Sequence, residues 1–129
     1  SRAKKYQKDK LYQKAIPLYQ KLLAGGDNNA KLIIKFNMGL CYMGSKEYLK
    51  AAQFFNDLKN YYHHAWGFRQ LYYPKTFLYS GLVNLELNNY RLAKSDIETF
   101  LQIWRPASES LKEKKMARDA LKKINKALS

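Results

Sequence analysis

Apolar residues recur along the chain at intervals of three and four, the spacing that gathers side chains on one face of an α-helix. Leu11, Ala15, Leu18, Tyr19 and Leu22 make the first stripe, and Phe36, Leu40 and Met43 the second. Ala51, Phe54, Phe55 and Leu58 follow, then Leu78, Leu82 and Leu85. Ala93, Ile97, Phe100, Leu101 and Trp104 make the fifth, and Ala117, Ala120, Leu121, Ile124 and Leu128 the last. No stretch alternates apolar and polar residues for long enough to read as a strand. Breakers fall between the stripes, at Gly25-Gly26-Asp27-Asn28-Asn29, Gly44-Ser45, Tyr73-Pro74, Asn88-Asn89 and Arg105-Pro106. Pro17 lies inside a predicted helix. A proline deep in a helix costs about 3 kcal/mol, so that helix is expected to bend or to start late, after a turn at Asp9 or Lys10. Ser110 and Glu113 have capping-box spacing for the last helix. The aromatic-rich residues 59–73 read as the extended end of one helix followed by a long connection.

The helices repeat. Gly39-Leu40-Cys41-Tyr42 is followed by Tyr48, Ala51 and Phe55. Gly81-Leu82-Val83-Asn84 is followed at the same offsets by Tyr90, Ala93 and Ile97, and Ala3, Tyr6, Tyr12, Ala15 and Tyr19 make a third set. The alanines at 15, 51 and 93 stand 36 and 42 residues apart, close to the roughly 34-residue period of stacked helix-turn-helix units. The longer step carries an insertion at the aromatic connection. Small residues at 39, 51, 81 and 93 let paired helices approach, and aromatics fill the wedge between units.

Through these residues, across about 3–104, the chain resembles the tetratricopeptide repeat family. The resemblance implies an all-α fold of antiparallel helix-turn-helix repeats wound as a right-handed solenoid. The units would fall at about 1–29, 30–66 and 74–105, with a C-terminal capping helix at about 108–128, in a single domain. Two departures stand out: Asn84 occupies a position where an aromatic is expected, and no proline ends the first two units. The abrupt opening on Ser1-Arg2-Ala3, already helical in pattern, reads as a piece of a longer protein.

Composition narrows the function classes. The chain has 129 residues, 47% of them hydrophobic, and a net charge of +14. That charge favours anionic partners and says little about fold. The basic residues gather at the ends: residues 1–31 hold eight Lys/Arg against two acids, and residues 105–129 hold eight against three. Cys41 is the only cysteine, so neither an intrachain disulfide nor a multi-thiolate metal site is available. A lone cysteine is compatible with a reducing, cytoplasmic setting. There is no run of 18 apolar residues, so no spanning helix is expected.

The resemblance places the peptide groove of such repeats on the first helix of each unit. That face would carry Ile33, Phe36, Asn37, Leu40 and Met43, then Lys75, Leu78, Tyr79, Leu82 and Leu85, an apolar surface with few polar groups that suits an extended or helical peptide. A carboxylate clamp known in part of the family is matched only by Asn37 and Lys75; Tyr79 stands where it needs an arginine. Cys41 reads as a small buried hydrophobe. Adjacent His63 and His64 point about 100° apart on a helix, and no metal site is expected. No nucleophile–base set, phosphate loop or cofactor motif is present, so the expected role is a non-enzymatic interaction scaffold without cofactors. The alternative is a polyanion-binding module. Lys4, Lys5 and Lys8 at one end and Lys114, Lys115, Arg118 and Lys122 at the other would meet RNA or an acidic protein, with Arg69 among stacking aromatics.

Overall fold

The computed structural model describes residues 1–61, 72–104 and 111–129. Within them the chain forms helices and no strand: α1 (Arg2–Lys8), α2 (Tyr12–Leu23), α3 (Asn28–Gly44), α4 (Tyr48–Leu58), α5 (Tyr73–Glu86), α6 (Tyr90–Ile103) and α7 (Leu111–Leu128). No helix among them is long and apolar enough to cross a membrane.

The breakers act where the sequence places them. Asp27 caps α3, its Oδ1 accepting from the amide of Ala30 at 2.7 Å, and so satisfies a donor with no partner inside the helix. Pro74 falls in the first turn of α5, where its missing N–H and fixed φ cost nothing. Pro17 falls in the second turn of α2 with its ring exposed, so the helix does start late, at Tyr12. The expected helical extension past residue 59 is not found. α4 ends at Leu58, and Lys59 and Asn60 form a turn. The rest of the aromatic connection, with His63, His64 and Arg69, lies outside the described residues, as does Ser110.

The turns from α1 to α2, α3 to α4 and α5 to α6 are built alike. Each places one residue in the left-handed region: Lys10 at φ 61°, Lys46 at 64° and Asn88 at 62°. The next amide (Leu11, Glu47 or Asn89) donates to the carbonyl five residues back (Tyr6, Tyr42 or Asn84) at 2.8 Å in all three. The amides of Lys10, Lys46 and Asn88 close the inner bond to Gln7, Met43 and Leu85 at 3.0, 3.0 and 3.1 Å. This paired closure ends a helix by satisfying two of its orphan carbonyls. The three turns are spaced 36 and 42 residues apart, as the buried alanines are.

Successive helices pack on one another, and α3 also touches α5 while α5 touches α7. The odd helices thus lie side by side, each even helix set against the odd helices before and after it. Ala15, Ala51 and Ala93 are completely buried in this packing. A Cβ built on Gly39 would stand 2.8 Å from the Phe55 ring, and one on Gly81 2.6 Å from Ile97 Cδ1. A methyl at either position would force the Phe55 or Ile97 side chain to move, so the first-helix small residue and the second-helix bulky residue fit as a pair. The core forms two clusters, one through α1–α4 with Val83 and one through Leu78, α6 and α7, with Tyr79 packed on both.

One position breaks the repeat. Tyr42 stacks on Phe54 at 5.5 Å between ring centroids in the second pair. Shifted by 42 residues, those positions hold Asn84 and Asp96. Both are buried, and they form a polar knot. Asp96 Oδ2 accepts from Ser80 Oγ at 2.7 Å and from Asn84 Nδ2 at 3.2 Å. Its Oδ1 pairs with Lys59 Nζ at 2.8 Å. The missing aromatic at Asn84 is therefore one half of a coupled exchange that ties the end of α4 to α5 and α6.

Candidate interaction groove

The residues expected on the groove face divide into three groups. Phe36 and Leu78 are 3% and 0% exposed, which corrects the expectation that they present a surface. Phe36 meets Phe55, Tyr72 and Tyr79 edge-on at 5.9, 5.1 and 5.8 Å. An apolar side chain between two stacked helices goes to the core, and periodicity does not say which stripe residues lie there.

A second group is held by partners inside the fold. Asn37 Nδ2 donates to the Ile33 carbonyl at 3.0 Å, and its Oδ1 accepts from Gln7 Nε2 at 3.1 Å. Gln7 Oε1 in turn accepts from the Tyr19 hydroxyl, so Asn37 links α3 to α1 and α2. Lys75 sits 3.9 Å from Glu113 Oε1 and 5.5 Å over the Trp104 ring, joining the start of α5 to the start of α7. Trp104 itself stacks on Phe100 at 5.6 Å. Burial pushes the Tyr79 hydroxyl above its ordinary pKa, and the Glu113 charge adds to the shift. Neither Asn37 nor Lys75 is left as a free donor aimed at a carboxylate, and Tyr79 is packed on Phe55 at 6.2 Å.

The third group makes a surface. Ile33 and Leu40 remain half-exposed on α3. Met43, Leu82 and Leu85 come together with Tyr48 from the start of α4 and with Met116 and Ala120 from α7, around a groove of about 360 Å³. Glu86, Asp119 and Lys123 stand on the same lining. The contribution of α7 was not visible in the sequence, where its apolar residues read only as the inner stripe of a cap. That inner stripe is Ala117, Ala120 and Ile124. Met116 lies beside it, displaced one position around the helix toward α5.

The expected basic residues that lie among the described ones do not converge. Lys4, Lys5 and Lys8 are exposed on α1, and Lys114, Lys115, Arg118 and Lys122 lie on α7. These two helices close opposite ends of the stack, since contacts run from each helix to its neighbours. Lys115 is also paired with Asp119 at 3.1 Å. Cys41 is completely buried, and burial pushes its thiol up to about 11, well above the range in which a cysteine acts as a nucleophile at neutral pH.

Comparison of the chain with models of known protein families, with curated proteins and with solved structures finds no match.

Proposed function

We propose that this chain is an interaction scaffold of the tetratricopeptide type, holding a short amphipathic peptide of a partner protein in the groove between α3, α5 and α7. The observation that carries the reading is the groove itself. Met43, Leu82, Leu85 and Met116 are drawn from three helices to one concave apolar floor, with charges of both signs around it. Unbranched methionines on either side of two leucines adapt to varied aliphatic or aromatic anchors. A helical or extended peptide seats such anchors at regular intervals. The like turns, the buried alanines and the close-approach glycines support the family reading of the scaffold.

The test is selection of peptides from a random displayed library on the folded chain. Selected peptides are titrated against the unaltered chain and against Leu82→Asp at low and high salt. The expected result is enrichment of apolar-anchored peptides whose affinity falls at least about tenfold on Leu82→Asp, since one buried leucine contributes about 1.5–3 kcal/mol. Failure to enrich any peptide, or equal binding by the variant, overturns the groove. A partner held instead by phosphate contacts to the lysines would lose affinity steeply as log salt rises, which would move the function to nucleic acid or another polyanion.

A further inference from the structure

Six large apolar side chains are exposed among the described residues: Leu11, Leu22, Leu49, Leu92, Leu111 and Leu128. Four of these, Leu11, Leu49, Leu92 and Leu128, lie along a single edge. It is the edge at which α1, α3 and α5 turn back into α2, α4 and α6. α7 runs beside α5 in the same direction, starting near Lys75 and ending near Asn88, so its last turn arrives at that edge too. The edge is continuous. Leu49 shares one shallow depression with Leu87 of the next turn and with Lys46 and Lys50. Leu92 shares another with Leu128, Tyr90 and Arg91.

This edge therefore exposes a leucine at or near the start of each of α2, α4 and α6 and another at the end of α7. The turns of this edge and the helix ends that flank them carry Lys8, Lys10, Lys14, Lys46, Lys50 and Arg91, against Asp9, Glu47 and Glu86. Glu47 is already engaged by Lys50 at 3.4 Å. Exposed aliphatic tips along one edge, with six cations against three acids on the same turns and helix ends, match a fluid anionic surface. Such a surface receives each leucine singly at its headgroup boundary and meets each cation with a lipid anion.

The geometry points to docking of this turn edge on an anionic lipid bilayer, as a surface contact separate from the groove, whose lining includes none of the four leucines. The test is co-sedimentation of the chain with vesicles of phosphatidylcholine alone and with about one-third phosphatidylserine, at near-physiological salt. The chain is expected to pellet with the anionic vesicles and to stay in the supernatant with the neutral ones. Leu49→Asp/Leu92→Asp is expected to cut the bound fraction at least about tenfold. Its circular dichroism and melting midpoint should stay unchanged, because Leu49 and Leu92 are 72% and 46% exposed. Lys10→Glu/Lys46→Glu should weaken pelleting as well. Absence of pelleting on anionic vesicles overturns the proposal, and so does equal pelleting by the leucine variant. Velocity sedimentation of the unaltered chain is the remaining arm. Self-association that the leucine substitutions abolish would assign the edge to a second copy and overturn the lipid reading.

Discussion

Replacing Lys59 with leucine removes the counter-charge from a carboxylate that cannot reach water. The Asp96 side chain is 4% exposed, and the Lys59 side chain beside it is 16% exposed. Breaking a buried pair by removing one partner costs about 3–5 kcal/mol. Ser80 and Asn84 still donate to the other oxygen, which places the expected loss near the lower end, about 3 kcal/mol. That is a large part of the roughly 5–15 kcal/mol that holds a domain folded. Leucine is the apt replacement because the repeat puts Leu23 and Leu101 at the corresponding positions. A rescue follows from the same geometry. Adding Asp96→Asn removes the unpaired charge at nearly unchanged volume, and Ser80 and Asn84 can still donate to the amide oxygen. With no lone charge left buried, the double variant should recover part of the loss, on the order of 1 kcal/mol or more. Urea unfolding followed by far-ultraviolet circular dichroism reads both, as a shift in midpoint at constant slope. A loss below about 1 kcal/mol for Lys59→Leu, or a double variant no more stable than the single one, would refute the account of the knot as a buried charge held by its partners.

Other outcomes follow from the same packing. Gly81→Ala pushes a methyl to 2.6 Å from Ile97 Cδ1 and 3.2 Å from the Ala93 carbonyl, and should lower stability by about 1–3 kcal/mol; an unchanged urea midpoint would show that α5 and α6 can separate freely. Lys46→Gly relieves a side chain held at φ 64° and should be neutral or raise stability by up to about 1 kcal/mol, measured on the same transition; a clear loss would count against the left-handed turn. Burial pushes Cys41 up to about 11 and Tyr19 up to about 12, from 9.0 and 10.0. Both groups hold their protons more tightly folded than unfolded. Stability from this source is intact below about pH 9 and is lost as pH rises through 11 and toward 12, so a urea midpoint that does not fall between about pH 9 and pH 11 would sink it. Cys41 should also resist alkylation in the native chain at neutral pH and react once urea unfolds it, as followed by mass spectrometry.

The helices and their phase were legible because the interval between apolar residues is a local property of the chain. The three turns were legible for the same reason, each needing a breaker and a fixed offset to the small residues that follow. The repeat marked Gly39, Ala51, Gly81 and Ala93 as positions of close approach, while their partners, Phe55 against Gly39 and Ile97 against Gly81, came from the packing. The residues of the groove were only half legible. A stripe on α3 or α5 identifies a face, but α5 is covered on two sides, and which stripe residues a neighbour covers depends on how far that neighbour is shifted and rotated. Hence Phe36 and Leu78 went to the core, while Met43, Leu82 and Leu85 stayed at the surface and gained Met116 from a helix far along the chain. Asn84 looked like a lapse in the motif until folding set it against Asp96, twelve residues on, and against Lys59 from the preceding unit. Local pattern is set by bonds within one turn of helix. Partnership across units is set by packing and by the cost of leaving a buried charge alone, and those terms exist only once the chain has closed around them.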